Sequence, residues 1–338
     1  KIEKIISEIN KISGVSILDV SSGIDTNRTV VTFVGSISSV EEATFQAIRV
    51  ASEIIDMRKH EGTHARLGST DVCPFIPVSN ITMEECISLS HRLAKRVGDD
   101  LSIPIYLYEE SAQIPERKNL ANIRYGEYEG LSKKISDKSW APDYGPLELN
   151  KMSGATVMGA REFLVAYNIN LNTKDKRLAT DIAFEIREKG RAKRRDNPYS
   201  PNSLDGEIIR YKNKKYPCGI CNFTSKNYIT IINHNNKDHN YDLKSLFIAK
   251  GYNKSNIFGK PVIKPGIFSN IKAVGWIVDE YQRAQISINF TNYKKTPIHK
   301  VFDTVCKLAE IRGVRVTGSE LVGLIPLGAM LMAGKYFL

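Results

Sequence analysis

Two cysteines and two histidines cluster in one short stretch, CGICNFTSKNYITIINHNNKDH, although the chain has only five cysteines and six histidines. Their spacing is C-x2-C-x12-H-x4-H, and the residues are Cys218, Cys221, His234 and His239. Four sulfur and nitrogen donors at this spacing satisfy tetrahedral zinc. We therefore expect a structural zinc ion between a hairpin and a helix that begins near Asn227. The alternative is two loop cysteines beside unrelated surface histidines.

This finger-like segment does not have the features of a base-reading module. The helix positions that face bases in such fingers correspond to Asn227, Thr230 and Asn233, none of which is an arginine. A single finger without a tandem partner also buries little surface and binds weakly. Nucleic acid is thus not expected as the main partner. We interpret the zinc as a staple for a segment too small to hold itself together.

A second stretch, DMRKHEGTHARLGSTDVCPFIPV at residues 56–78, carries most of the other reactive side chains. His60 to His64 match the metalloprotease pattern H-E-x-x-H, which requires both imidazoles on one face of a continuous helix. Gly62 and Thr63 interrupt such a helix, and the neighbouring cations oppose binding of a dication. The pattern therefore does not predict a protease.

The same stretch suits general acid–base catalysis by one imidazole. A histidine with a pKa near neutrality can take a proton from one group and return it to another. We expect Arg58, Lys59 and Arg66 to lower the pKa of His64 and keep it neutral. His60 is expected to support its neighbour. The alternative is a purely structural histidine.

Composition limits the classes open to the chain. Its 338 residues are 42% hydrophobic, with a net charge of +11 and a pI near 9.2, which indicates a folded protein with an anionic partner. An odd number of cysteines does not suggest a disulfide framework. The first residues, KIEKIISEIN, predict an amphipathic helix and not a signal peptide. The apolar stretch LVGLIPLGAMLMAG is short and contains a proline, so we expect no membrane span and a cytoplasmic protein.

The order of predicted elements repeats in the two halves. Residues 161–338 give βαββαβ, a ferredoxin-like unit, and residues 1–160 give αββαβ, the same order with its first strand missing. We expect an α/β (α+β) fold with two such subdomains and mainly antiparallel sheets. Capping boxes at Ser39/Glu42 and Thr82/Glu85 predict two helix starts. Residues 196–268, which include the finger-like segment 216–241, form an insertion in the second half.

Several segments in both halves carry a resemblance to a known family. The chain resembles the formiminotransferase domain of the glutamate formimidoyltransferase family. The similar segments, in chain order, are TNRTVVTFVG, IDMRKHEGTHARLGSTDVCPFIPV, IPIYLY, RKNLANIR with GEYEGL, WAPDYGP, GATVMGAREFLVAYNINL, IREKGRAKRR, KAVGWIVDE, AQISINFTNY with TPIH, and GSELVGLIPL. They cover the whole chain except the insertion.

The resemblance implies an activity and an assembly. A formimino group would move between N-formimino-L-glutamate and tetrahydrofolate, as in histidine degradation and one-carbon metabolism. Two subdomains would face each other across a substrate tunnel, in a homodimer. By position His64 is the catalytic acid and base, and the folate-contacting stretch runs from Gly145 through Pro146 to Gly154.

Further residues are candidates for binding the substrates. Guanidinium groups grip carboxylates bidentately, so the carboxylates of glutamate and folate are expected to meet Arg28, Arg66, Arg124 and Arg161. Asp143 is expected either to anchor the pterin amino group or to cap a turn. Asn289 and Asn292, near the end of ISINFTNY, are expected to line the tunnel.

Two departures from the family pattern leave alternatives open. The family's V-P-N-F-S-E-G-like first strand has no counterpart before Lys1, and Ser21, Ser22 and Gly23 stand where relatives often have an acid. The missing strand leaves a catalytically impaired member as one alternative. The finger-like segment and the basic surface leave a nucleic-acid-binding zinc-finger protein as another. Formimino- and formyl-glutamate remain equally compatible donors.

Overall fold

The computed structural model describes residues 1–23, 26–62, 64–280 and 282–338, without the side chain of Ala249. The chain divides into two units, Lys1–Glu162 and Phe163–Leu338. Each unit has buried apolar clusters of its own. Ile24, Asp25, Thr63 and Tyr281 lie outside the described residues. The turn expected between Gly23 and Asn27 therefore falls partly outside them as well.

Unit 1 contains five helices and five strands among its described residues. In chain order they are α1 (Ile2–Asn10), β1 (Val15–Gly23), β2 (Arg28–Gly35), α2 (Ile37–Ile54), β3 (Val72–Phe75), α3 (Met83–Leu101), β4 (Ile105–Leu107), α4 (Leu120–Arg124), α5 (Glu127–Ser136) and β5 (Thr156–Ala160). β1 and β2 form an antiparallel pair. β3, β5 and β4 form a second sheet in that order, with both pairs parallel.

The parallel sheet is a feature that the sequence did not indicate. Parallel neighbours need crossover connections of a dozen or more residues. α3 lies between β3 and β4 in the chain, and a long segment with α4 and α5 lies between β4 and β5. The predicted antiparallel character of unit 1 therefore holds for the β1–β2 pair only. The mixed α and β class itself is confirmed.

One of the two predicted capping boxes is confirmed and one is wrong. At α3 the Thr82 hydroxyl accepts from the Glu85 amide, and the Glu85 carboxylate accepts from the Thr82 amide. At α2 the cap is Ser36, whose hydroxyl accepts from the Ser39 amide. The stretch SISS offers capping hydroxyls at Ser36, Ser38 and Ser39, and the helix begins earlier than predicted.

Unit 2 follows the βαββαβ order with additional elements between its first helix and second strand. The elements are β6 (Val165–Leu171), α6 (Lys176–Ile186), β7 (Arg191–Ala192), β8 (Tyr216–Pro217), β9 (Thr224–Ser225), α7 (Tyr228–His239), α8 (Leu243–Ala249), β10 (Ile263–Lys264), β11 (Ile271–Val278), β12 (Arg283–Phe290), α9 (Ile298–Ile311), β13 (Val316–Val322) and α10 (Leu327–Phe337). The main sheet has the order β11-β12-β6-β13 and is antiparallel throughout. This is the predicted ferredoxin-like arrangement.

The two faces of this sheet differ in chemistry. Alternate residues of β12, from Ala284 to Phe290, are buried in one cluster with apolar residues of α6 and α9. On the alternate positions, Gln285 donates to Asn170 at 2.7 Å and to Glu320 at 2.8 Å. The helices therefore cover the apolar face, and a hydrogen-bonded polar network forms on the other face.

The segment between α6 and β11 has a core of its own. Tyr211, Tyr216, Ile231 and Phe247 are buried together in it. Ion pairs fasten both ends of the segment to α6, since Arg191 pairs with Asp181 and Lys264 pairs with Glu185. Within the described parts of the chain, no helix is both long and apolar enough to cross a lipid bilayer.

Candidate active site and metal centre

The loop that carries His64 is held by backbone pairing to the end of the predicted folate stretch. The amide of Met57 donates to the carbonyl of Met152, and the amide of Ser69 donates to that of Ser153, both at 2.8 Å. The amide of Ala155 donates to Leu67 at 3.2 Å. Two segments far apart in sequence thus lie side by side in unit 1.

Gly154 makes this pairing possible. Its φ is +70°, and a Cβ at this position would lie 2.1 Å from the carbonyl oxygen of Leu67. A side chain would therefore be strained and would also collide with the loop. Gly145, at the other end of the stretch, has a φ of +83°, and its Cβ would meet the Ile103 carbonyl oxygen at 2.3 Å. Both glycines have a packing role, whatever binds beside them.

His64 is half-buried, and both of its ring nitrogens have partners. Nδ1 lies 2.7 Å from the carbonyl oxygen of Ala65, and a carbonyl can only accept. Nδ1 therefore carries the proton and donates. Nη1 of Arg28 lies 2.9 Å from Nε2 and 3.1 Å from Nδ1, and since Nδ1 donates to Ala65, Nε2 is the ring nitrogen that can accept from it. This network assigns the neutral tautomer with its basic lone pair on Nε2.

Arg28 belongs to a charged cluster that includes Asp71 and Arg124. The Asp71 carboxylate pairs with Arg124, lies 3.9 Å from Nη1 of Arg28, and accepts from the Leu67 amide at 3.0 Å. Burial, together with the charge of Arg124, lowers the pKa of Arg28. One carboxylate therefore sits between two guanidinium groups, and the cluster keeps an excess of positive charge beside His64.

The pKa of His64 is lowered, as predicted, but not by the predicted cations. Burial is the main cause, and the positive charge of Arg28 is the second. Arg58 pairs with Asp56, and Arg66 pairs with Glu127 and Glu129. The prediction that Arg58, Lys59 and Arg66 act on His64 is therefore wrong. Closeness in the sequence does not identify Arg28 as a neighbour of His64, because this contact depends on how β2 packs against the loop.

His60 lies on the neighbouring turn and has no hydrogen bond to His64 among the described residues. Its Nε2 donates to the carbonyl of Asn27 at 2.8 Å, and the Asn27 amide group donates to the carbonyl of Glu61 at 2.7 Å. Residues 60–62 and 64 are outside any helix. The H-E-x-x-H pattern therefore lacks the helix that a metalloprotease site requires, as the sequence predicted.

Asp143 is engaged within the scaffold. One carboxylate oxygen pairs with Arg117 at 2.7 Å, and the other accepts from the Leu107 amide at 2.7 Å. Both side chains of the pair are nearly fully buried. The carboxylate fixes β4 to the loop before Gly145 and is not presented to a ligand. Arg117 opens the segment RKNLANIR, but its spacing does not indicate the contact with Asp143.

Four other predicted residues have more open surroundings. Arg161 donates to the carbonyl of Glu162 at 2.8 Å and lies near the buried hydroxyl of Tyr108. The pKa of Tyr108 is raised to about 12 by burial, and Arg161 opposes this rise. Pro146 is partly buried in the loop after Gly145. In unit 2, Asn289 lies on the same side of β12 as Gln285, whereas the Asn292 side chain caps the turn at Lys294 and Lys295.

Unit 2 brings the four predicted metal ligands together. Their donor atoms all lie within 4.8 Å of one another, and the residues are Cys218, Cys221, His234 and His239. Sγ of Cys221 is 3.3 Å from Nε2 of His234 and 3.4 Å from Nε2 of His239. Donor atoms in a tetrahedral zinc site with ordinary bond lengths are about 3.6 Å apart. The cysteines lie between β8 and β9, and the histidines lie on α7.

Surrounding groups fit a cation at this position. Asp238 lies 2.6 Å from Nδ1 of His234, the carboxylate–histidine contact typical of zinc ligands. The amides of Ile220 and Phe223 donate to the two cysteine sulfurs. Phe223 stacks on the His234 ring, with centroids 4.1 Å apart.

Comparison with known families gives matches along the chain. A family model described as the formiminotransferase domain, N-terminal subdomain, matches residues 1–161, and one described as the formiminotransferase domain matches residues 166–338.

Three relatives illustrate the range of similar proteins. The formimidoyltransferase-cyclodeaminase of Dictyostelium discoideum is 38% identical over 338 residues, covering 100% of this chain and 50% of that protein. The glutamate formimidoyltransferase of Streptococcus pyogenes serotype M1 is 34% identical over 337 residues, covering 100% and 88%. That of Thermoplasma acidophilum is 34% identical over 340 residues, covering 100% and 87%. The chain spans about half the length of the cyclodeaminase-containing relatives.

Replacing Gly154 with alanine tests the pairing of the two segments. We expect the free energy of unfolding to fall by about 1–3 kcal/mol, because alanine is strained at this φ and meets Leu67. Hydrogen exchange of residues 57–69 should speed up. Gly130→Ala is the control, since nothing lies within 4 Å of its Cβ and α5 should gain up to about 1 kcal/mol. Equal stability of both variants would contradict the assignment.

Proposed function

Because the chain belongs to the formiminotransferase family, we propose that it transfers a formimino group between N-formimino-L-glutamate and tetrahydrofolate. The observation that carries the proposal is the neutral His64 imidazole, with Nδ1–H fixed by the Ala65 carbonyl and Nε2 turned to Arg28. The proposed substrate pair supplies carboxylates for the surrounding guanidinium groups. The 145–154 stretch, paired with this loop through Gly154, is the proposed folate contact.

The proposed chemistry needs one group that both accepts and returns a proton. The folate amine attacks the amidine carbon, a new carbon–nitrogen bond forms, and a tetrahedral intermediate results. Nε2 of His64 takes the proton that the attacking nitrogen loses. The bond to the glutamate nitrogen then breaks, and the imidazolium returns its proton to that leaving nitrogen. The histidine ends in the form in which it began.

Arg28 has a second part in this proposal. In the structure its Nη1 lies 2.9 Å from Nε2, the atom whose lone pair the reaction needs free. A substrate carboxylate that binds Arg28 competes for this donor and releases Nε2. Arg66 and Arg124 already pair with carboxylates of the chain, whereas Arg161 has no ion pair among the described residues. Arg28 and Arg161 are therefore the preferred carboxylate ligands.

The wider assignments rest on the same family membership. We propose a cytoplasmic homodimer with two subdomains, residues 1–160 and 161–338. Asn289 of β12 is proposed as a substrate ligand. Tetrahydrofolate acts as a co-substrate and is released after each turnover.

We also propose that the four-ligand cluster binds zinc and that this zinc is structural. All four protein ligands are present, which leaves no open coordination position for catalysis. The ion would hold β8, β9 and α7 of residues 196–268, whose own core is small. Metal binding provides folding free energy in modules of this kind.

Replacing His64 with alanine tests the catalytic assignment. We expect kcat for formimino transfer to fall by about 10²–10⁴-fold, because no other group in the described cluster can cycle a proton near neutral pH. Folate binding, measured by calorimetry, should change little. His91→Ala removes a histidine of α3 whose Nδ1 contacts Tyr144, and it should retain activity. An inactive parent protein would instead favour an impaired family member.

The dependence of kcat/KM on pH tests the role of Arg28. Since the pKa of His64 is lowered, the base form persists to a pH below the ordinary histidine value of about 6.5, and activity falls only as the pH drops through the lowered pKa. Arg28→Gln removes a cation, raises that pKa and should shift the acid limb to higher pH. Arg66→Gln should leave the limb in place, since Arg66 pairs with Glu127 and Glu129. An acid limb at the same pH in both variants would refute the role of Arg28.

Metal removal tests the structural role of the proposed zinc ion. The purified chain should contain one zinc ion by mass spectrometry, and chelation should expose residues 211–245 to protease while formimino transfer continues. Cys221→Ser should lose the metal, whereas Cys306→Ser, a cysteine of α9, should keep it. Unchanged protease protection of the apo protein would show that the segment does not need the ion.

A further inference from the structure

The net positive charge of the chain arises from one segment. Residues 189–264 contain 16 lysines and arginines but only five acidic residues, which accounts for the whole net charge of +11. The remainder of the chain contains 32 residues of each sign. We call residues 189–264 the basic segment. It includes the zinc cluster and the small core around Tyr211.

Few cations of the basic segment are neutralised within the chain. Among the described residues, ion pairs form at Arg191, Arg195 and Lys264. Lys193 and Arg194 donate to backbone carbonyls. The remaining lysines have no carboxylate within ion-pair distance in the described structure, and all of them except the half-buried Lys250 are exposed.

Three of these lysines form an exposed turn. Lys212 and Lys215 exchange backbone hydrogen bonds at 3.1 and 3.0 Å, and Lys214 between them has a φ of +51°. Glycine and asparagine are the residues that usually take this conformation. Lys214 is therefore held in a strained backbone conformation, and its side chain is exposed on the surface.

A fourth lysine lies at the same end of the finger. β8 and β9 pair with Tyr216 opposite Ser225. Lys215 precedes the first residue and Lys226 follows the second, so the antiparallel register places both beyond the same end of the ladder. Like charges across a ladder are destabilising when nothing compensates them. Their clustering indicates an anionic partner outside the chain. We call Lys212, Lys214, Lys215 and Lys226 the lysine cluster.

We propose that the lysine cluster binds the phosphate backbone of nucleic acid, without reading its sequence. The four cations are all lysines, which suit phosphate as point charges, whereas planar guanidinium groups suit carboxylates. The nearby helix face exposes Thr230 and Asn233, which are polar and offer hydrogen bonds to phosphate and sugar. The lack of arginine on α7 still argues against base recognition.

A membrane surface fits these observations less well. A helix that lies on lipid exposes an apolar face opposite a basic one. In α7 the apolar Ile231 and Ile232 are buried, and the exposed positions are mostly polar, with Ile229 as an exception. The proposed binding depends on the basic segment only and does not depend on the proposed formimino transfer.

Fluorescence anisotropy of a labelled, mixed-sequence DNA duplex with the zinc-loaded full chain tests the proposal. We expect a dissociation constant of about 10⁻⁴–10⁻⁶ M that weakens steeply with salt. Changing the lysine cluster to glutamate should weaken binding at least tenfold and reduce the slope of log K against log salt by up to about 4. The matched control carries the same charge change at exposed lysines elsewhere, namely Lys118, Lys133, Lys295 and Lys307.

Two readouts keep the result interpretable. Cobalt substitution should give the thiolate absorption of an intact site in both variants, and a Lys→Gln version of the cluster should also lose affinity. Equal weakening by the cluster and control variants would overturn the proposal, because only net charge would matter. Tighter binding of polyglutamate or of anionic vesicles than of DNA would also overturn it. Retained DNA binding in a chain without transferase activity would support it.

Discussion

The hydrogen bond from Arg28 to Nε2 of His64 is the contact on which the candidate site depends. It requires a neutral imidazole, because an imidazolium has no lone pair to accept with. Asp71 makes the arrangement tolerable, since its carboxylate lies between Arg28 and Arg124. Burial and the nearby cation both favour the neutral ring. The Ala65 carbonyl receives the Nδ1 proton and thereby fixes the orientation of the ring.

The scaffold positions this contact mainly through backbone. β2 supplies Arg28, the loop before β3 supplies His64, and the strand β5 begins two residues after Gly154. The loop and the 152–155 segment share hydrogen bonds that no side chain can replace. Glycine is required at position 154 because the carbonyl oxygen of Leu67 occupies the space that a Cβ would need. The zinc-ligand cluster in unit 2 has its own core and its own charge, and its chemistry is separate from that of His64.

Sequence patterns predicted the elements better than the contacts. The βαββαβ order of unit 2 follows from hydrophobic periodicity, and the metal ligands follow from spacing within one local segment. The parallel pairing of β3, β5 and β4 joins strands separated by long connections, which periodicity does not specify. Asp143 is bound to Arg117, a partner 26 positions earlier whose contact sequence spacing does not indicate. Arg66 was expected at His64 because it is close in sequence, but its side chain turns to Glu127 and Glu129.

The most direct measurement of the central claim is nitrogen NMR of the His64 ring across a pH titration of the full chain. The account predicts a neutral ring protonated on Nδ1 at neutral pH, with a pKa below the ordinary histidine value of about 6.5. A ring that is still an imidazolium at neutral pH, or a neutral ring protonated on Nε2, would contradict it.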